Sequence, residues 1–141
     1  MKPRIGEIYR DAEVVLRNCA RLIAQEEEKA LRYCCSRMYF IGKHIETHYD
    51  KDLWKTMTEF LKDLIPTLAR EYGLYYKLST LRRYLKFYRW VRKLFEYLHK
   101  QNGESAFTIP DPDRLAELGG SYLWAIYNNS KELAKASKYL L

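Results

Sequence analysis

Arg82, Lys86, Arg89 and Lys93 follow one another at steps of four, three and four, a spacing that lines cations along one side of a helix. From the first to the last is about 16 Å at the helical rise, comparable with the width of a DNA groove. Four cations so spaced can meet successive phosphates of one strand, or lie across or within a groove. Like charges four apart repel by a few tenths of a kcal/mol per pair, so the stripe works against its own helix unless something outside offsets it.

The stripe belongs to a wider basic segment. Over residues 77–100, Lys77, Arg82, Arg83, Lys86, Arg89, Arg92, Lys93 and Lys100 face a single acid, Glu96, and the chain's whole formal charge of +7 resides there. Trp90 and Tyr97 flank the stripe, and Arg83 and Arg92 stand at its edges, where aliphatic stems cover apolar surface while the guanidinium reaches outward. A basic excess so concentrated is a footprint for a polyanion, above all nucleic acid. The plainer alternative is a solvated face neutralised by acids of the N-terminal region or of a partner subunit.

Chemistry of other kinds is poorly supported. His44 and His48 are four apart and share a helical face, but no Cys or carboxylate is placed to complete a metal site, and no His-Glu-x-x-His motif is present. Glu27-x-Lys29 matches half of a nuclease signature whose other half requires a strand-borne Asp, and the sequence offers no strand. No glycine-rich phosphate loop or nucleophile elbow occurs. Cys19, Cys34 and Cys35 suggest neither a disulfide framework nor zinc. The expectation is a binding protein with no enzymatic activity, no metal and no cofactor.

The elements that must carry the stripe are helical throughout. The 141-residue chain, 48% hydrophobic and 30% charged, suits one all-α domain over residues 1–141. Between Gly6 and Gly42 there is neither proline nor glycine, and apolar residues recur at helical spacing. Residues 1–50 thus read as one long helix or a nearly collinear helix pair, about 60 Å if unbroken, kinking near Glu26-Glu27-Glu28 or reaching a neighbouring subunit. Residues 52–102 form a helix-turn-helix-like basic core: a helix capped by Asp52, an interruption at Pro66, a short helix closed by Gly73, and a basic helix capped by Ser79. Residues 103–113 read as a loop, and residues 112–141 as two C-terminal helices, one opening at Asp111-Pro112 and ending at Gly119-Gly120, the other capped by Ser121. On the basic helix, Leu81, Tyr84, Leu85, Phe87, Tyr88, Val91, Leu94, Phe95 and Leu98 share one broad apolar arc and form the core. No apolar run approaches the eighteen or so residues of a membrane span.

Two stretches resemble the helical N-terminal domain of the YhcG-like family. Phe40-Ile41-Gly42-Lys43-His44-Ile45-Glu46 is similar to the family's aromatic-x-Ile-Gly-Lys-x-Ile run. Glu71-Tyr72-Gly73, followed by Leu81-Arg82 and Phe87-Tyr88, resembles its Glu-Phe-Gly, Asn-Leu and Phe-Tyr pattern. Tyr75, Lys77 and Thr80 depart from that pattern, and Ser121 to Tyr127 echoes the family's Ser-Trp-Ser-His-Tyr stretch. The resemblance implies a winged-helix-like DNA-binding module without the family's nuclease half. Together with the charge pattern it leads to one expectation: a protein that binds double-stranded DNA mainly through phosphates, as a homo-oligomer or filament in an architectural or packaging role of the chromatin or viral nucleocapsid type. Its location would be the nucleoid or a virion interior. The alternatives are a module docking its basic helix on an acidic protein, and a sequence-specific repressor.

Overall fold

The computed structural model describes residues 5–29, 34–102 and 111–139. Among the described residues it is an all-α bundle of six helices: α1 (Ile5–Lys29), α2 (Cys34–His48), α3 (Met57–Tyr72), α4 (Leu78–Asn102), α5 (Pro112–Asn129) and α6 (Leu133–Ser137). The loop expected over residues 103–113 lies mostly outside the described residues.

The N-terminal region is a helix pair. α1 ends at Lys29, one residue beyond the acidic run. Glu27 bonds Arg37 near the start of α2 at 3.0 Å, while Cys19, farther back on α1, donates its thiol to the His44 carbonyl at 3.6 Å. The two helices therefore run antiparallel. A single 60 Å rod is replaced by a hairpin, because the apolar stripe of α1 (Cys19, Ala20, Ile23) buries against Ile41 and Ile45 of its own chain. The length of this region then needs no neighbouring subunit to explain it.

α2 and α4 form the spine. The first half of α4 (Leu81, Tyr84, Leu85) closes a core with α1, α2 and α3, where Phe60, Leu61, Leu64 and Leu68 are fully buried. Its second half (Phe87, Val91, Leu94, Leu98) closes another with Tyr39 of α2, Leu123 and Ile126 of α5 and Ala136 of α6. The apolar arc read on the basic helix is thus buried along its whole length. Gly42 sits where α2 crosses α4. A Cβ there would lie 2.7 Å from Tyr88 Cβ and closer still to the Tyr84 carbonyl oxygen, so the crossing distance requires glycine.

Four helix boundaries differ from the sequence expectation, two by a shifted start and two because burial overrides a local signal. Asp52 does not cap α3: its N–H donates to Asp50 Oδ1 at 2.8 Å within a turn. Thr56 caps instead, accepting from the Glu59 N–H at 3.2 Å while Glu59 accepts from the Lys55 N–H at 3.0 Å, a reciprocal pattern close to the capping box. Pro66 does not interrupt α3, which runs from Met57 to Tyr72. An interior proline costs about 3 kcal/mol, and burial of Phe60, Leu61, Leu64 and Leu68 on the same helix, at about 1.5–3 kcal/mol per side chain, outweighs it. Ser79 does not cap α4; the Lys77 carbonyl accepts from the Leu81 and Thr80 N–H groups, and the helix starts at Leu78. Gly119-Gly120 does not end α5, which continues to Asn129 because Ala116, Leu123, Ile126 and Tyr127 are buried in one core. Ser121 accordingly caps nothing, and the break before α6 falls at Ser130.

Two expected caps are present. Gly73 closes α3 in the left-handed region at φ 65°, its N–H donating to the Ala69 carbonyl at 3.0 Å. Asp111 caps α5, accepting from the Asp113 N–H at 2.8 Å, with Pro112 in the first turn.

Candidate nucleic-acid interface

α4 is positioned by its buried arc, and that arc fixes what its opposite side presents. Arg82, Lys86, Arg89 and Lys93 all stand exposed along that side, with Arg83 at the flank and Lys100 in the last turn, and Lys77 is exposed just before the helix. Their surroundings differ. Among the described residues, no carboxylate lies within ion-pair distance of Arg83, Lys86, Lys93 or Lys100. Arg82 donates to the Thr58 hydroxyl of α3, a neutral partner that orients the guanidinium without cancelling its charge.

Two members of the basic set are committed inside the fold. Arg89 forms a two-pronged ion pair with Glu46 of α2, its second bond at 3.3 Å. Arg92 points away from the stripe toward Tyr39, Tyr88 and Asp113. Burial works against its charge, but the two tyrosines and the carboxylate outweigh this and raise its pKa. The same cluster ties three helices together. Asp113 of α5 accepts from Lys43 and, at 2.5 Å, from the Tyr39 hydroxyl, both on α2. Partial burial pushes the Asp113 carboxyl up, yet the hydrogen bonds from Lys43 and Tyr39 and the charges of Lys43 and Arg92 prevail, holding it below the usual carboxylate range. Burial and the Asp113 contact push the Tyr39 phenol up, so it stays a donor.

Three acids of α1 are engaged elsewhere. Glu26 meets His44 at 3.2 Å and Lys29 at 3.6 Å, Glu27 meets Arg37, and Glu13 meets Arg17 at 2.8 Å. None of them neutralises α4. Glu96, four residues before Lys100, is the acid that shares the exposed side of α4. The field is therefore strongest over the N-terminal half, where the positive end of the helix dipole adds to it.

A groove that sequence reading missed lies along that half. Arg82, Arg83 and Lys86 form one wall, and Trp124, Tyr127 and Lys131, from the end of α5 and the residues beyond it, form the other, enclosing about 750 Å³. Lys131 is nearly fifty residues from Arg82, and no spacing in the sequence announces which side of α5 meets α4.

The histidines expected to be too few for a metal have protein partners: His44 bonds Glu26, and His48 Nδ1 lies 2.7 Å from the His44 carbonyl. No metal-ligand cluster occurs among the described residues. Burial pushes the Cys19 thiol up to about 12, which leaves it an inert core group at neutral pH. No helix of the described residues is long and apolar enough to cross a membrane. No family model matches the chain, and neither the curated proteins nor the solved structures contain a match.

Proposed function

We propose that this protein binds double-stranded DNA through the phosphate backbone along the exposed side of α4, with Arg82, Lys86 and Lys93 as the central contacts and Arg83 beside them. The observation that carries this reading is a row of cations held outward by a buried arc, in which, among the described residues, only Arg89 has a carboxylate within ion-pair distance. Uncompensated like charges raise the energy of the folded chain, and an anionic partner lowers it again. The resemblance to the YhcG-like helical domain supports the same reading; its first stretch lies on α2, and its second runs from the end of α3 into α4, which α2 crosses at Gly42. Contacts to phosphates carry no sequence information, so the role is architectural or packaging, with copies of the chain covering DNA without regard to sequence.

Fluorescence anisotropy on a labelled duplex across a salt series tests this. Four phosphate contacts give a slope of log affinity against log salt of about −3.6. A slope near zero, or no binding at low salt, removes the proposal. Protection of one short site in place of uniform coverage would instead identify a repressor.

A further inference from the structure

We infer that the groove between the N-terminal half of α4 and the C-terminal end of α5 takes one unpaired, phosphorylated nucleotide, its phosphate on Arg82, Arg83, Lys86 and Lys131 and its base against Trp124. This rests on the nucleic-acid reading above and deepens it.

Four cations share this groove and no carboxylate lines it, so its complement is an anion with more than one oxygen to offer. At about 750 Å³ it falls within the range of small-ligand sites and far exceeds what a lone phosphate fills. The remaining space faces aromatic rings. Trp124 is half-buried, its ring set edge-on to Phe87 at 5.0 Å between centroids and tilted against Tyr127 at 5.7 Å. Those contacts fix the indole and leave part of it facing the groove, the arrangement on which a planar base stacks. Lys131 is placed as firmly. Its ammonium lies 5.0 Å from the Tyr127 ring centroid, and its carbonyl accepts from Trp90 Nε1 at 2.9 Å. Asn128 and Ser79 line the same space and bring side chains able to hydrogen-bond a base edge.

A base inside a duplex is stacked on both faces and cannot reach Trp124. The ligand is therefore a nucleotide at a strand end, in a gap, or free in solution, and all three offer the same phosphate and base.

The test uses the full chain and three probes: a blunt labelled duplex, the same duplex with a short 5′-phosphorylated overhang, and adenosine monophosphate. The overhang duplex should bind about tenfold more tightly than the blunt one, a factor in keeping with one stacked base. Lys131→Ala, at an exposed position, and Trp124→Leu, checked for folding by circular dichroism, should each shrink that preference and leave blunt-duplex binding in place. Displacement of the overhang complex by adenosine monophosphate, at concentrations that spare the blunt complex, would show that free nucleotide serves as a source. Resistance to displacement would assign the site to strand ends. Equal affinity for both duplexes, with no quenching of tryptophan fluorescence by adenosine monophosphate, overturns the inference and leaves the duplex reading standing. Quenching without binding of either duplex would sink the duplex reading and keep the groove.

Discussion

Replacing Glu46 by Gln should strengthen DNA binding. Glu46 is the carboxylate that holds Arg89, and both side chains are partly exposed, 35% and 46%. An ion pair at that exposure contributes under about 1 kcal/mol, so Glu46→Gln should fold and melt close to the native protein. Its consequence for binding is larger. Freed from Glu46, Arg89 rejoins Arg82, Lys86 and Lys93 in register, adding one phosphate contact to about four. Each such contact contributes about 0.9 to the salt slope, which should steepen from about −3.6 to about −4.5. The same term evaluated near 0.1 M salt sets a ceiling of about eightfold on the gain in affinity. Anisotropy titrations of a labelled duplex at several salt concentrations measure both quantities. Adding Arg89→Gln to the Glu46 variant should return slope and affinity to the native values. Unchanged or weaker binding by Glu46→Gln would refute the claim that this side of α4 faces phosphates, since removal of a neutralising acid from such a surface must help.

Three further outcomes test the fold that presents it. Gly42→Ala should destabilise by about 1–3 kcal/mol, because its methyl must displace the Tyr84 backbone or Tyr88 at the α2–α4 crossing; urea denaturation measures this, and native stability would contradict the close approach. Pro66→Ala should stabilise by about 2 kcal/mol, restoring a helical hydrogen bond to the Lys62 carbonyl against a smaller gain in unfolded-chain entropy, with an unchanged melting temperature as the adverse result. Asp113 is held below its unfolded pKa, so its contribution is complete above the unfolded value and drains away as pH falls through the folded one. Melting temperature should accordingly decline below about pH 4 in the native protein. Asp113→Asn should be less stable at neutral pH and lose part of that acid dependence, whereas identical pH profiles would place the α2–α5 tie elsewhere.

What the sequence revealed and what it concealed divide along one physical line. Gly73 and Asp111-Pro112 were legible because a left-handed cap and a capped first turn depend on neighbours only a few residues away. The apolar arc of α4, and with it the basic stripe, was legible because periodicity on one helix fixes both faces at once. Pro66 and Gly119-Gly120 misled because their local cost is a few kcal/mol, and the buried faces of α3 and α5 exceed it. Periodicity allowed one long helix or two nearly collinear ones, and neither is found: contacts such as Glu27 with Arg37 and Cys19 with His44 fold α2 back along α1, a tertiary outcome that no local signal announces. Within the site, no local rule could pair Arg89 with Glu46 across 43 residues or bring Lys131 to the same groove as Arg83. Which cations remain available is a tertiary fact, and it reduces a stripe of four to Arg82, Lys86 and Lys93.

Comparison of the native protein with a Lys86→Ala, Lys93→Ala variant, by salt-dependent binding to one duplex, addresses the central claim most directly. Both lysines are exposed and without a carboxylate partner among the described residues, so the variant should keep its melting temperature. Loss of two phosphate contacts should roughly halve the slope, from about −3.6 to about −1.8. An identical slope in a folded variant would show that the outward cations of α4 are not where DNA binds.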